Sequence, residues 1–371
     1  MPQDNNNNNT IARGIKRNNV TTYVHHDVVG ASGVVTLNRP HALNALNNDM
    51  VWSLYEIFTH WKNDPAVGHV VLSSSSSRAF CAGGDIRQVR ESILDGDSHA
   101  AEQFFQGEYL ADLAIAEFSK PIIVLCDGLV MGGGAGLAQH SSHIIMTETT
   151  KFAMPESKIG LFPDVGASLF LGRCPVPVAR LLGMTGHMIE GTTCIMLGLA
   201  SAMVPSQNIK YLKQALIRCE TDEIDKIIAS YQIDPGLPGL SQHMTSISYI
   251  FGGEETPEDM QERAQELLCL RPNDTFLKQI VTAFAEACPF SVKLFWRLLQ
   301  VAESFTTVDA AISLDYHLAL RMIRRPDFVE GVRALLVDKD KAPTWSPNRL
   351  DLVDNGLLEE VFSEDELPPL R

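Results

Sequence analysis

Two carboxylates stand close together in an otherwise apolar stretch, Phe152 to Gly166, which reads FAMPESKIGLFPDVG. Glu156 follows one proline and Asp164 follows another, with Ile159, Leu161 and Phe162 between them. Such a segment predicts a strand end, a loop and a helix opening at Pro163–Asp164. Apolar neighbours disfavour a charged carboxyl, which would poise Glu156 for proton transfer. Taken alone, the plainer reading is preferred: Asp164 as a helix N-cap and Glu156 as a solvated loop residue. Residues upstream reverse that preference.

Two glycine loops precede the pair. In RAFCAGGDI (Arg78 to Ile86), Gly83 and Gly84 follow a buried strand, so backbone N–H groups there can point at a ligand. An ordinary tight turn is the competing reading. Farther on, a β-rich run at Pro121–Leu125 leads through CDGLVM to Gly132-Gly133-Gly134-Ala135-Gly136 and a helix candidate at Leu137–His140. Strand, glycine run and helix start bring free N–H groups toward an anion. The GxGxxG spacing fails and no GK[ST] follows, which leaves a backbone cradle suited to a developing oxyanion.

Other chemistry-bearing residues have plainer readings. Ser73–Ser77 is a polar loop without a surrounding GxSxG, and Cys81 reads as a buried cysteine at a strand end. His140 and His143 are spaced i,i+3, as on a helix, but lack a third metal ligand, and read as surface residues. Asp85 reads as a support of its loop. Lys339 and Lys341 could meet phosphates, although a DKDK run reads as a solvated segment. Met131 and Phe162 fit either an acyl pocket or core packing.

The elements that must position these groups are legible in outline. Val20–Val28 and Gly33–Leu37 predict strands joined near Gly30, and His69–Leu72 a short buried strand. Helical spacing runs through Leu43 to Trp61 and from about Ala100 to Phe118. Ala167 to Gly183 is helical with an interruption at Pro175–Pro177, followed by a turn at Met184–Gly186. Glu190–Leu199 is a helix, and Ala202–Pro205 a short strand. Residues 1–19 form an Asn-rich leader expected to be disordered, 20–233 an α/β core, and 234–257 a Gly/Pro/Ser-rich linker. Residues 258–350 form a helical region through Asp259–Leu270, Asp274–Glu286, Ser291–Ser304 and Val308–Ile323, and 351–371 a tail.

Composition bounds the partners. The 371 residues are 45% apolar and 20% charged, with a net charge of −15. Such a balance disfavours attachment to nucleic acid or to an anionic membrane. Seven scattered cysteines without a CxxC pair argue for a reducing compartment, and no metal-ligand spacing is visible. No membrane-length apolar run and no signal-peptide core occur. A bacterial cytoplasm or a mitochondrial matrix would both fit; secretion would not.

With these motifs in hand, the chain resembles the crotonase (enoyl-CoA hydratase/isomerase) superfamily, and within it the 3-hydroxyisobutyryl-CoA hydrolase branch. Four blocks carry the resemblance: LNRPHALNAL (Leu37–Leu46), RAFCAGGDI, DGLVMGGGAGL (Asp127–Leu137) and FAMPESKIGLFPDVG. A fifth, FVEGVRALLVDKDKAPTW (Phe328–Trp345), resembles the family's C-terminal signature. The resemblance implies a crotonase-like spiral of ββα units closed by a C-terminal helical region, and an acyl-CoA ligand. It implies that the amides of Gly84 and Gly133 grip the thioester carbonyl, with Gly83, Gly132, Gly134, Ala45 and Asp85 as further substrate-binding positions. It implies no cofactor beyond the coenzyme A of the substrate, no metal, and leaves a homo-oligomer open.

One departure is informative. Hydratases of this family carry a glutamate two residues after their glycine triplet, where this chain has Gly136. Their second glutamate matches Glu156, and where they usually have glycine this chain has Asp164. The resemblance therefore implies an acid pair, Glu156 and Asp164, serving thioester hydrolysis, with Glu156 as nucleophile or as general base. Enoyl-CoA hydration and a non-catalytic acyl-CoA- or RNA-binding role are the competing readings.

Overall fold

The computed structural model describes residues 23–363 and 369–371. The Asn-rich leader and the start of the expected first strand lie outside the described residues. An antiparallel hairpin, β1 (Val24–Val29) and β2 (Ser32–Leu37), opens the fold around Gly30. Three strand pairs follow: β3 (His69–Ser74) with β4 (Ala79–Cys81), β5 (Ile122–Cys126) with β6 (Leu129–Met131), and β7 (His143–Met146) with β8 (Lys151–Ala153). Short strands β9 (Ile189–Glu190) and β10 (Ala202–Met203) complete the set.

The first strand of each pair joins a six-stranded sheet, β1-β2-β3-β5-β7-β10; the second joins a four-stranded sheet, β4-β6-β8-β9. Each circuit of chain thus advances both sheets by one strand, which is the expected spiral of ββα units. The central strands of the larger sheet are parallel and covered on both faces, hence their unbroken apolar composition, as in IIVLC of β5. Alternation splits the faces. Val70, Leu72, Ile122 and Val124 enter the main core, whereas Val71, Ile123 and Leu125 face a second cluster with Leu212, Leu216, Ile224 and Ile228.

Helix α1 (Asn48–Lys62) begins five residues beyond the expected Leu43. Leu43 and Asn44 take left-handed backbone (φ 53° and 56°), and Asn47 caps the helix by accepting from Met50 N. Its buried face is the one the periodicity marks: Met50, Leu54, Ile57, Phe58 and Trp61. Helices α2 (Ile86–Leu94) and α3 (Ser98–Ala116) follow β4, and α4 (Gly133–Gln139) follows β6. After β8 come α5 (Ala167–Gly172) and α6 (Val176–Thr185), broken as expected near Pro175. Pro177 is accommodated inside the first turn of α6, where a missing N–H costs nothing, and α6 runs on through the expected Met184–Gly186 turn to a Gly186 cap. Then come α7 (Gly191–Met196), α8 (Ile209–Arg218) and α9 (Ile224–Tyr231).

The stretch 234–257, expected as a linker, holds a helix of its own. In α10 (Met244–Phe251), Ile247, Ile250 and Phe251 are buried and the helix packs on α6. The Gly/Pro/Ser content flanks this helix rather than replacing it. The C-terminal region is helical: α11 (Pro257–Leu270), α12 (Thr275–Glu286), α13 (Pro289–Ala302), α14 (Val308–Met322) and α15 (Pro326–Val332). The expected tail also packs, since α16 (Asn355–Val361) buries Leu358 and Val361. Two of these C-terminal helices close on the α/β core: α14 lies along α3, and α15 lies on the turn that begins at Glu156.

Candidate active site

The two glycine loops meet. A Cβ built on Gly83 would stand 3.3 Å from Met131 O and 3.8 Å from Gly133 N, so any larger residue would push the loops apart. Gly83 itself has φ +99°, a backbone conformation that side chains disfavour. Helix α4 starts at Gly133 rather than at the expected Leu137, because its first turn lies against β4: a Cβ on Gly134 would stand 2.6 Å from Cys81 Cβ. Among the described residues, neither the Gly84 nor the Gly133 amide has an acceptor. Both are free to donate to a ligand atom.

The first loop is latched to the segment before α1. Leu46 N donates to Gly83 O (2.8 Å) and Asp85 N to Leu46 O (2.7 Å). Asp85 pairs with Arg39 (2.8 Å), whose guanidinium also donates to Ala45 O (2.9 Å). Asp85 and Ala45 thus brace the loop through Arg39.

Glu156 opens a 3-10 turn (Glu156–Ile159) directly after β8, which carries it to the second loop. A Cβ on Gly132 would stand 2.5 Å from Glu156 Oε1, while Oε2 has no partner. Asp164 is not a helix N-cap. Its backbone oxygen accepts from Ala167 N, Gly166 takes the N-cap place, and α5 begins three residues past the expected Asp164. Its carboxyl instead accepts a 2.5 Å hydrogen bond from Tyr109.

Tyr109 belongs to a group that the sequence reading missed. Helix α3 brings Glu108, Tyr109 and Asp112 to the site, and α14 brings Asp315. A Cβ on Gly133 would collide with Glu108 Oε1, an oxygen without a partner. Asp315 Oδ2 accepts from Gly166 N at 2.7 Å. Exposures are 4% for Glu108, 0% for Asp112 and Asp315, 7% for Glu156 and 3% for Asp164. The available signal was two carboxylates, four residues apart, on the otherwise apolar helix FFQGEYLADLAIA.

Burial governs the protons here. It raises the Asp164 carboxyl to about 6, opposed by the Tyr109 hydrogen bond. Glu108, Asp112, Glu156 and Asp315 are pushed well above the usual carboxylate range, first by burial and then by neighbouring carboxylates, Asp164 among them in every case. Each of these carboxyls therefore holds its proton more tightly than a free one, and a charge on Asp164 helps keep protons on the others. Among the described residues no group of three His, Cys, Asp or Glu is arranged to hold a metal ion. The arrangement can polarise a carbonyl with two amides and move a proton between two carboxyls beside it.

Other candidates are not part of the acid pair or of the amide cradle. Cys81 is buried, its thiol pushed up to about 12 by burial. His140 caps α4 half-buried and bonds Val165 O, whereas His143 begins β7 and meets Asp225. The two histidines therefore share no helix face, and His140 is not a surface residue. Lys339 and Lys341 are exposed, but their run is an ordered turn: Arg333 holds Asp338 and Asp340 at 2.6 Å each. Phe162 is core.

Known proteins match along almost the whole chain. The enoyl-CoA hydratase/isomerase family model covers residues 32–362. Curated relatives include the mitochondrial 3-hydroxyisobutyryl-CoA hydrolase of Xenopus tropicalis, 36% identical over 90% of this chain and 87% of the relative. Another is 3-hydroxyisobutyryl-CoA hydrolase 1 of Arabidopsis thaliana, 34% identical over 91% and 92%. Among solved structures, a carnitinyl-CoA dehydratase from Mycobacterium thermoresistibile superposes with a TM-score of 0.86 at 29% identity, over 94% of this chain and 98% of that one.

Proposed function

Because this chain belongs to the enoyl-CoA hydratase/isomerase family, we propose that its site hydrolyses an acyl-CoA thioester, 3-hydroxyisobutyryl-CoA, to 3-hydroxyisobutyrate and coenzyme A in valine breakdown. The names of curated relatives support the substrate. The observation that carries the reaction is at Gly136. A Cβ there would stand 2.8 Å from both Asp112 Oδ2 and Val165 Cβ, so the glutamate of a two-glutamate hydratase has no room. Glu156 lies against Gly132 and Glu108 against Gly133, the charge of Asp164 bears on both, and of these acids we assign the reaction to Glu156 and Asp164.

In the proposed reaction the Gly84 and Gly133 amides bind the thioester oxygen. As charge grows on that oxygen they contribute about 3–4 kcal/mol each. The pair Glu156/Asp164 holds one proton more than two free carboxylates would at neutral pH, and passing it to Asp164 leaves Glu156 as the base or nucleophile. Water attacks the carbonyl carbon with its proton taken by Glu156, or Glu156 attacks to form an anhydride that water then opens. In either route the C–S bond breaks and the departing thiolate takes the proton from Asp164. Hydroxylamine trapping of an acylated Glu156 separates the two routes. Beyond the coenzyme A of the substrate the reaction draws on no cofactor.

The test is thiol release from 3-hydroxyisobutyryl-CoA by wild type, Glu156→Gln and Asp164→Asn, with crotonyl-CoA hydration run in parallel. Release lost in both variants, with hydration absent throughout, supports the proposal. Hydration without thiol release overturns it in favour of the activity named for the family's solved dehydratase and hydratase structures. A reducing compartment, a mitochondrial matrix or a bacterial cytoplasm, is part of the proposal: all seven cysteines are free thiols, and the animal relatives are named mitochondrial.

A further inference from the structure

Asp164 is carried on a strained turn, and two side chains from distant elements hold that turn. Val165 has φ +52° and Gly166 φ +77°, two successive left-handed residues. For a β-branched residue such as Val165 this conformation is costly and persists only where the surroundings impose it. What imposes it is visible on both sides of the peptide that joins the two residues. Val165 O accepts from His140 Nε2 at 2.8 Å, and Gly166 N donates to Asp315 Oδ2 at 2.7 Å.

The packing leaves the turn little alternative. Val165 is fully buried against Gly136, and a Cβ on Gly166 would stand 2.9 Å from His140 Cε1. The imidazole is itself placed, edge-on to Phe170 of α5. His140 sits at the end of α4 and Asp315 within α14, so the helix that starts at the oxyanion loop and a helix of the C-terminal region close on the same peptide.

We propose that His140 and Asp315 are positioning residues for the reaction: they clamp the Val165–Gly166 peptide and thereby aim the Asp164 carboxyl. A carbonyl only accepts, so His140 carries its proton on Nε2, and burial keeps the ring neutral by lowering its pKa to about 4. Asp315 needs only an acceptor oxygen at Oδ2, which asparagine can also supply. The role assigned to Asp164 rests on the hydrolase reading; the clamp itself is a property of the protein without substrate.

The experiment pairs thiol-release kinetics with backbone amide exchange at Gly166 in the unliganded full chain. Asp315→Ala and His140→Phe should each lower kcat by about tenfold to a hundredfold with little change in KM, the scale expected for a misplaced catalytic group. Gly166 exchange should quicken by about tenfold or more in Asp315→Ala. Asp315→Asn should keep both activity and protection. Val165→Gly added to Asp315→Ala should recover activity, because glycine adopts the left-handed angle without strain.

Unchanged Gly166 protection in Asp315→Ala overturns the clamp. Asparagine proving as damaging as alanine, with both variants folded, overturns it as well. If Asp315→Ala does not fold, His140→Phe with and without Val165→Gly decides by the same recovery. A wild type that releases no thiol sinks the hydrolase reading instead, and Gly166 exchange still tests the clamp.

Discussion

The Asp112 carboxyl stands where a side chain at position 136 would have to go, 2.8 Å from the Cβ that Gly136 lacks. The relationship repeats one turn away, where Glu108 Oε1 occupies the space beside Gly133. Carboxyls four residues apart on α3 thus oppose glycines three residues apart on α4, the spacings at which helical neighbours share a face. Glycine at 133 and 136 and acid at 108 and 112 form one packing arrangement.

Restoring a glutamate at position 136 should therefore fail to create a hydratase. Gly136→Glu adds a side chain to a filled space and a further carboxyl to a buried acidic cluster, a cost of at least about 1–3 kcal/mol from overpacking. The double change Gly136→Glu with Asp112→Ala should recover part of that loss. Thermal unfolding of the single and double variants measures it; equal melting temperatures would show that the two positions do not compete.

The pH dependence of stability has a definite sign. Asp164 has an ordinary pKa of 3.8 and about 6 in the fold, so the folded chain holds this proton more tightly than the unfolded chain. Its contribution favours folding below the unfolded value and is lost as pH rises through about 6, by about 3 kcal/mol across the window. Asp164→Asn removes that loss. Urea unfolding should find the variant gaining on wild type between pH 4 and pH 7 while thiol release is abolished. Parallel stability curves would refute the assignment.

Tyr109→Phe deletes the hydrogen bond that keeps the Asp164 carboxyl from rising further. The first proton to leave the Glu156/Asp164 pair should do so at higher pH, moving the acidic limb of the kcat/KM profile up by about one unit for a lost charge-assisted bond. A profile whose limb stays in place would mean that Asp164 ionisation does not limit the reaction.

Gly83→Ala tests the meeting of the loops. The substitution places a Cβ 3.3 Å from Met131 O at φ +99°, which strains the turn and spreads the two amides. We expect kcat to drop by about a hundredfold or more, as for loss of one oxyanion donor, with a smaller effect on KM. Steady-state kinetics on folded protein decide it, and a change confined to KM would place Gly83 in binding alone.

Part of the candidate site was written locally. The glycine loops were legible because glycine beside a strand lets the backbone approach a ligand, whereas Glu156 and Asp164 by themselves read as a loop residue and an N-cap and took their proposed roles only from the motifs upstream and the resemblance those carry. The apolar faces of α1 and of the strand runs at 69–72 and 121–125 were likewise legible locally, whereas the ββα order came from the resemblance to the family. Boundaries were less so: α1 starts late because Leu43 and Asn44 turn left-handed, and α10 was hidden between glycine- and proline-rich flanks.

What the sequence alone determined is which residue types can do chemistry and which backbone stretches can approach a ligand closely. Only tertiary structure decided their company. Glu108 and Asp112 read as polar residues on a packed helix until α3 is laid across the glycines of α4. Asp315 lies 149 residues from the Gly166 amide it accepts from, a separation that no local pattern encodes. Their burial together, and so the tightness with which the carboxyls hold their protons, exists only once α3, α4 and α14 share one dry interior, because desolvation belongs to the assembled site and not to any segment of it.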